Sequence, residues 1–272
     1  MSQPDPTRVE FGEITCPGGM PAFFARPNDG GKYPCVILMH ERYGLVDHTR
    51  DLATRCAKDG LFVLAPNFFF RHPDQVKLNA GESRYPISDP EAVELIRSAK
   101  NALKDLDGAE ADRVAVAGYC QTGRHPLLFA AETNIEAAIV WYGAAAKREW
   151  EITERQPKPL EDILARLPCP VFGAFGTDDH IISVDDVLRF RGALEERGKS
   201  YEIHLYKGAP HGWLNNTMPG RYRAAQAHAA WMAQQEFIRK IFSGSWPKDK
   251  IVWEFGAESR PDYDFTKNVR QE

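Results

Sequence analysis

The sequence predicts an α/β protein with a mostly parallel central sheet flanked by helices. Short β-branched or apolar runs alternate along the chain with longer helical patterns. Several runs, such as CVILMH (35–40) and LFVLAP (61–66), show no polar alternation, as expected of strands covered on both faces. Strands that alternate with helices imply βαβ units, and hence parallel pairing.

VEFGEITC and MPAFFARP, separated by PGG, read as an antiparallel hairpin at the N-terminal edge. After CVILMH, residues 47–59 read as a helix that Gly60 ends. LFVLAP is the next strand, stopped by Pro66. Asp89-Pro90-Glu91 predicts a helix start, with Asp89 as the capping side chain, proline in the first turn and an acid at the positive end of the dipole. Apolar residues at 92, 95, 96, 99, 102, 103 and 106 form one face of that helix. RVAVAGYC (113–120), AAIVWYG (137–143) and CPVFGAFG (169–176) repeat the strand pattern, and YEIHLYKGAPH (201–211) reads as a strand plus loop. Further helices are expected up to Gly198 and over 219–242, the second starting at Pro219. The polar, proline-containing segment 144–168 reads as an insertion. The expected organisation is one domain over 1–243 and a C-terminal extension, 244–272. The extension carries Trp246, Trp253, Phe255, Tyr263 and Phe265 among charges. So many aromatic residues predict docking on the domain or on a partner subunit, which makes a homodimer an expectation.

The totals narrow the function. The chain has 272 residues, 43% hydrophobic and 26% charged, with a formal net charge of -4. This suits one well-buried core and lacks the basic excess of a nucleic-acid binder. No apolar run approaches the roughly 20 residues of a membrane helix. The N-terminus lacks a basic segment followed by an apolar one, so a cytoplasmic protein is expected. Five cysteines at 16, 35, 56, 120 and 169, without CxxC, predict reduced thiols and no zinc site. GYCQTG is not a dinucleotide-binding GxGxxG after the first strand, so no cofactor is expected.

The chemistry concentrates at Gly118-Tyr119-Cys120-Gln121-Thr122-Gly123, where a buried strand meets a helix. That is the setting of a nucleophile elbow. The turn is tight enough to require small flanking residues, here Gly118 and Gly123, and it exposes the middle side chain near a helix N-terminus. That position favours thiolate over thiol. The amide of Gln121 can then donate to a developing oxyanion. A Gly-x-Cys alone also describes a buried free thiol, so the partners decide. Thr177-Asp178-Asp179-His180 leaves the strand CPVFGAFG, and Ala209-Pro210-His211-Gly212-Trp213 follows the last strand of the pattern. Nucleophile, acid and histidine thus occupy three strand ends at the carboxyl edge of the sheet. His211 is the expected base. Asp178 and Asp179 both remain candidates for the acid, the later loop position favouring Asp179.

These segments resemble the dienelactone hydrolase (carboxymethylenebutenolidase) family of the α/β-hydrolase fold, over roughly residues 8–243. GYC with Gly123 is similar to the family's G-Y-C-x-G-G elbow. His40-Glu41-Arg42-Tyr43-Gly44 resembles its E-x-F-G segment, and Ala65-Pro66-Asn67 through Arg71 its P-D-L-Y-x-R segment. The resemblance implies a Cys120–His211–Asp179 triad, with Glu41 beside the cysteine to help take its proton. It implies the Arg42 amide as second oxyanion donor and Arg71 as the arginine that holds a substrate carboxylate. Tyr43 and Trp213 would line the substrate site.

The chain also departs from the family pattern. Thr122 replaces the second elbow glycine and is expected to crowd the strand–helix contact. Arg124-His125-Pro126 replaces small or apolar residues, and Arg124 is a candidate to line the site and bind an anion. Asn215 stands where the family often has a second carboxylate-binding arginine. The expected activity is cleavage of a small ester or lactone through a thioacyl-enzyme. A carboxylesterase or thioesterase for another acyl group, and a binding protein on the same scaffold, are the competing readings.

Overall fold

The computed structural model of the protein describes residues 9–257. Among the described residues, nine strands form one sheet: β1 (Val9–Cys16), β2 (Met20–Pro27), β3 (Tyr33–Leu38), β4 (Phe62–Pro66), β5 (Ala109–Tyr119), β6 (Ala137–Trp141), β7 (Val171–Gly176), β8 (Tyr201–Tyr206) and β9 (Trp253–Ala257). Their spatial order is β1-β2-β4-β3-β5-β6-β7-β8-β9. The hairpin β1–β2 and the β2–β4 pair are antiparallel. From β4 through β3 to β9 every pairing is parallel.

The helices are α1 (Asp47–Lys58), α2 (Gln75–Ala80), α3 (Asp89–Ala102), α4 (His125–Ala130), α5 (Leu160–Ala165), α6 (Val184–Glu196) and α7 (Ala224–Ser243). Successive strand residues point to opposite faces, so the sheet divides its apolar side chains between two cores. Ile37 and Val116 join residues of α3, α4, α5 and α6 in one core. Val36 and Ala115 join residues of α1 and α7 in the other. This double coverage accounts for the apolar runs of the central strands. No helix among the described residues is long and apolar enough to cross a membrane.

Three local expectations change. Ser88, not Asp89, caps α3: its hydroxyl accepts the Glu91 amide at 3.4 Å. Asp89 is already helical and turns its carboxylate to Arg124. Next, α7 begins at Ala224, five residues after Pro219, because the intervening chain folds back as a turn. There the Arg221 and Tyr222 amides donate to Met218, and the Arg223 amide to Trp213. Finally, residues 253–257 are a strand. β9 pairs with β8, the Trp253 indole donates to the Lys199 carbonyl at 3.0 Å, and Arg191 stacks on Phe255. Trp246 packs edge-on against Phe237 of α7. Tyr263 and Phe265 lie outside the described residues.

Candidate active site

Cys120 follows the last residue of β5 and has φ of 55°, a left-handed conformation unusual for a residue with a side chain. Such a backbone costs on the order of 1–3 kcal/mol and persists where its surroundings hold it. A Cβ on Gly118 would lie 2.4 Å from the Thr122 carbonyl oxygen, and one on Gly123 would lie 2.7 Å from the Gly143 Cα. The elbow is thus pressed against the end of β6 at a separation that only glycine allows.

Thr122 does not crowd this turn. It is fully buried, and its hydroxyl accepts the Tyr119 amide at 3.0 Å while lying 2.9 Å from the His40 carbonyl and 3.0 Å from that of Tyr119. The extra side chain is a stitch between the elbow and the segment after β3. His40 fixes that segment in turn. Its Nδ1–H donates to the Glu41 carbonyl at 2.7 Å, and its Nε2 accepts the Phe68 amide at 3.0 Å. Burial pushes His40 down to about 4, which matches a neutral ring held in one tautomer.

The loops after β7 and β8 lie back to back. The Thr177 amide donates to Tyr206 and the Asp178 amide to Ala209. A Cβ on Gly176 would fall 2.0 Å from the Ala209 oxygen. This contact sets Asp179 against His211. One Asp179 oxygen accepts the amides of Ile181 at 2.8 Å and Ile182 at 3.0 Å, and the other lies 2.8 Å from His211 Nδ1. Asp178 is exposed and, among the described residues, its carboxylate accepts only the Thr177 hydroxyl. The opposite ring nitrogen of His211 lies 3.0 Å from Cys120 Sγ. Tyr142 and His180 contact the His211 ring edge-on, at 5.4 and 5.9 Å between centroids. Burial opposes a charge on His211. The hydrogen bond to Asp179, then that to Cys120, outweighs burial and pushes it up to about 10.

Glu41, Arg42, Tyr43, Cys120, Gln121 and His211 line one cavity of about 570 Å³. Glu41 is buried there, but its carboxylate accepts the Asn215 amide at 2.7 Å. Asn215 is itself locked, its oxygen accepting the Thr217 amide and hydroxyl. Arg42 stacks on Tyr43 at 5.1 Å and donates to the Gly81 carbonyl. The Gln121 side chain donates to the Tyr85 carbonyl at 2.7 Å.

Three expected substrate-binding residues are placed otherwise. Arg71 is not among the cavity's lining residues. It pairs with Glu91 at 2.9 Å and stacks on Phe70, because α3 presents an acid to it. Arg124 touches the cavity wall, yet its guanidinium is spent. It donates to Asp89 through Nε and Nη2, to the Glu149 carbonyl through Nη1 and to the Lys158 carbonyl. Its side chain is 2% exposed, so it has no donor to offer an anion. Trp213 is fully buried in the core, packed on Trp141 and Tyr206. The arginines that do face the cavity are Arg84, Arg148, Arg155 and Arg221, besides Arg42. Nothing in their local sequence marked them: Arg84, Arg155 and Arg221 lie in polar loops or turns, and Arg148 in the short 3-10 turn Lys147–Trp150.

Residues 20–242 match the model of the dienelactone hydrolase family. A candidate carboxymethylenebutenolidase of Salmonella typhimurium is 32% identical over 228 residues, covering 80% of this chain and 82% of that protein. A candidate 2-oxo-3-(5-oxofuran-2-ylidene)propanoate lactonase of Bradyrhizobium is 26% identical over 231 residues, covering 80% and 88%. The crystal structure of a candidate dienelactone hydrolase from Klebsiella pneumoniae superposes with a TM-score of 0.77 at 28% identity, covering 85% of this chain and 99% of that one. The parallel sheet, the elbow after β5 and these likenesses together assign the chain to the dienelactone hydrolase family of the α/β-hydrolase fold.

Proposed function

We propose that the protein hydrolyses a small, carboxylate-bearing ester or lactone, with Cys120 as nucleophile, His211 as base and acid, and Asp179 as the group that orients His211. One observation carries this reading: a single imidazole lies 2.8 Å from a buried carboxylate and 3.0 Å from a thiol on a strained elbow. The raised basicity of His211 keeps a proton on the ring at neutral pH, pointed at the sulfur.

The thiolate attacks the carbonyl carbon, and the amides of Gln121 and Arg42 receive the oxyanion. Collapse breaks the C–O bond, and the leaving oxygen takes the Nε2 proton of His211. The neutral imidazole then removes a proton from water, whose oxygen attacks the thioester. The second collapse breaks C–S, returns the thiolate and releases the acid, leaving the proton on His211. A thiolate also leaves easily, so it suits esters and lactones better than amides, whose amines are expelled poorly. The Bradyrhizobium relative is named for a lactone that carries a carboxylate, and arginines that face the cavity suit such a substrate.

The other four cysteines are buried, and burial pushes their thiols up to about 11 or 12. Iodoacetamide should therefore label Cys120 first and abolish turnover. Cys120→Ala should lose hydrolysis of every ester and lactone in a panel. Mass spectrometry of the active protein after rapid quenching should find an acyl group on Cys120. Full hydrolysis by Cys120→Ala overturns the mechanism.

A further inference from the structure

The cavity's charge is one-sided. Six arginines line it, Arg124 among them with its guanidinium already paired inside the wall, against two carboxylates, those of Glu41 and Glu149. Both carboxylates are buried and already engaged: Glu41 by Asn215, Glu149 by Arg148 and Gln156. Arg84, Arg155 and Arg221 are exposed and make no side-chain hydrogen bond or ion pair among the described residues. A chain whose net charge is -4 thus concentrates unpaired positive charge at this mouth.

These cations stand on separate walls. Arg221 lies over the histidine loop: a Cβ on Gly212 would be 3.8 Å from its side chain and 3.8 Å from Glu41. Arg155 belongs to the insertion after β6, and its carbonyl accepts the Asp89 amide at 2.8 Å. That ties it to the Asp89–Arg124 pair and so to the next residue, His125. His125 lines the cavity at 4% exposure, and its Nδ1 is buried without a hydrogen-bond partner. An orphaned imidazole nitrogen in a core is costly, on the order of 1–3 kcal/mol, unless something occupies it. Burial, then the neighbouring Arg124, pushes His125 down to about 3, so the ring is a neutral donor and acceptor, not a further cation.

We propose that the substrate carries two anionic groups, one on each side of the ester: one met by Arg221 beside the histidine loop, the other by Arg155 on the insertion and the imidazole of His125 at the start of α4. The carbonyl then lies over Cys120 between them. This rests on the hydrolase reading above and narrows its substrate class from a monoacid to a diacid ester or lactone.

Three aryl esters test it: phenyl acetate with no carboxylate, 4-acetoxybenzoate with one on the leaving side, and mono(4-carboxyphenyl) succinate with one on each side. kcat/KM should rise about tenfold with each carboxylate, mostly through KM. Arg221→Ala should erase one step of that series, and Arg155→Ala and His125→Phe the other. Arg155 is exposed, so its variant reports even if His125→Phe folds poorly. Arg71→Ala, outside the cavity, should leave the series unchanged. Equal kcat/KM for all three esters, or an equal loss on all three in the Arg155 and Arg221 variants, overturns the proposal. Turnover that survives Cys120→Ala instead overturns the cysteine mechanism, so the two failures are told apart.

Discussion

The Thr122 hydroxyl lies 2.9 Å from the carbonyl oxygen of His40, joining the elbow to the segment that carries Glu41 and Arg42. The two amides assigned to the oxyanion, those of Gln121 and Arg42, sit one residue from Thr122 and two from His40. Thr122→Val keeps the shape and removes the hydroxyl, leaving buried backbone groups without a partner. A stability loss of about 1–3 kcal/mol is expected. A shift between the two segments should lower kcat by up to about 10²-fold. Thr122→Ser, which retains the hydroxyl, should keep most of both. Urea unfolding and single-turnover kinetics on the pair check this; an active, stable Thr122→Val would show that the stitch is dispensable.

The acid assignment has a direct test. Asp179 is hydrogen-bonded to His211 and to two amides, whereas Asp178 is exposed. Asp179→Asn should lower kcat by about 10³–10⁴-fold, since an amide neither stabilises the imidazolium nor imposes the tautomer. Asp178→Asn should stay within twofold of the parent. A reversed order of effects would move the acid to Asp178.

Stability should fall on both sides of neutrality, for opposite reasons. His40 and His125 are pushed down, to about 4 and 3, while an unfolded imidazole titrates near 6.5. Below pH 6.5 the unfolded chain therefore binds protons that the folded chain refuses. Stability drops by about 1.4 kcal/mol per pH unit for each ring as pH falls from 6.5 toward 4. His211 is pushed up, so its contribution is complete below pH 6.5 and is lost as pH rises toward about 10. Urea midpoints at pH 5, 7 and 9 should trace this dome. His125→Phe should shallow the acid limb and leave the alkaline limb. An acid limb of the same slope in that variant would remove His125 from the account.

The fold, and the meeting of Cys120 and Asp179 at His211, rest on local signals. An apolar run ends, a turn follows, and one reactive side chain stands in it, in the chain order this fold uses. Pairings between distant segments were not legible. Arg124 meets Asp89 across 35 residues, and Asn215 meets Glu41 across 174. No periodicity encodes either, so Arg124 read as a candidate anion binder when it is the centre of a buried ion cluster. Arg71 failed similarly, since its partner Glu91 is set by how α3 packs. β9 was missed because it is short, half-exposed and set in a polar tail; backbone bonding to β8, the Trp253 indole and the Phe255 ring under Arg191 hold it.

Arg124 yields the sharpest stability test. Its guanidinium is 2% exposed, and the carboxylates of Asp89 and Glu149, at 2.9 and 3.6 Å, are nearly as buried. Burial raises the Glu149 carboxyl above the usual range, with Arg148 and then Arg124 opposing it. Desolvation offsets much of the attraction within such a cluster, so its net stabilisation is small, yet removing one member strands the others. Arg124→Met should cost about 3–5 kcal/mol, because two carboxylates lose their shared cation. It should also loosen the insertion, which Arg124 holds through the Glu149 and Lys158 carbonyls. Proteolysis between residues 147 and 158 should then accelerate. Adding Asp89→Asn to Arg124→Met should recover part of the loss, since the stranded charge is gone. The coupling from that double-mutant cycle should exceed about 1.5 kcal/mol, well outside the roughly 0.5 kcal/mol expected of independent sites. Additive losses would mean that Asp89 and Arg124 act separately, and that the insertion is held by its backbone contacts alone.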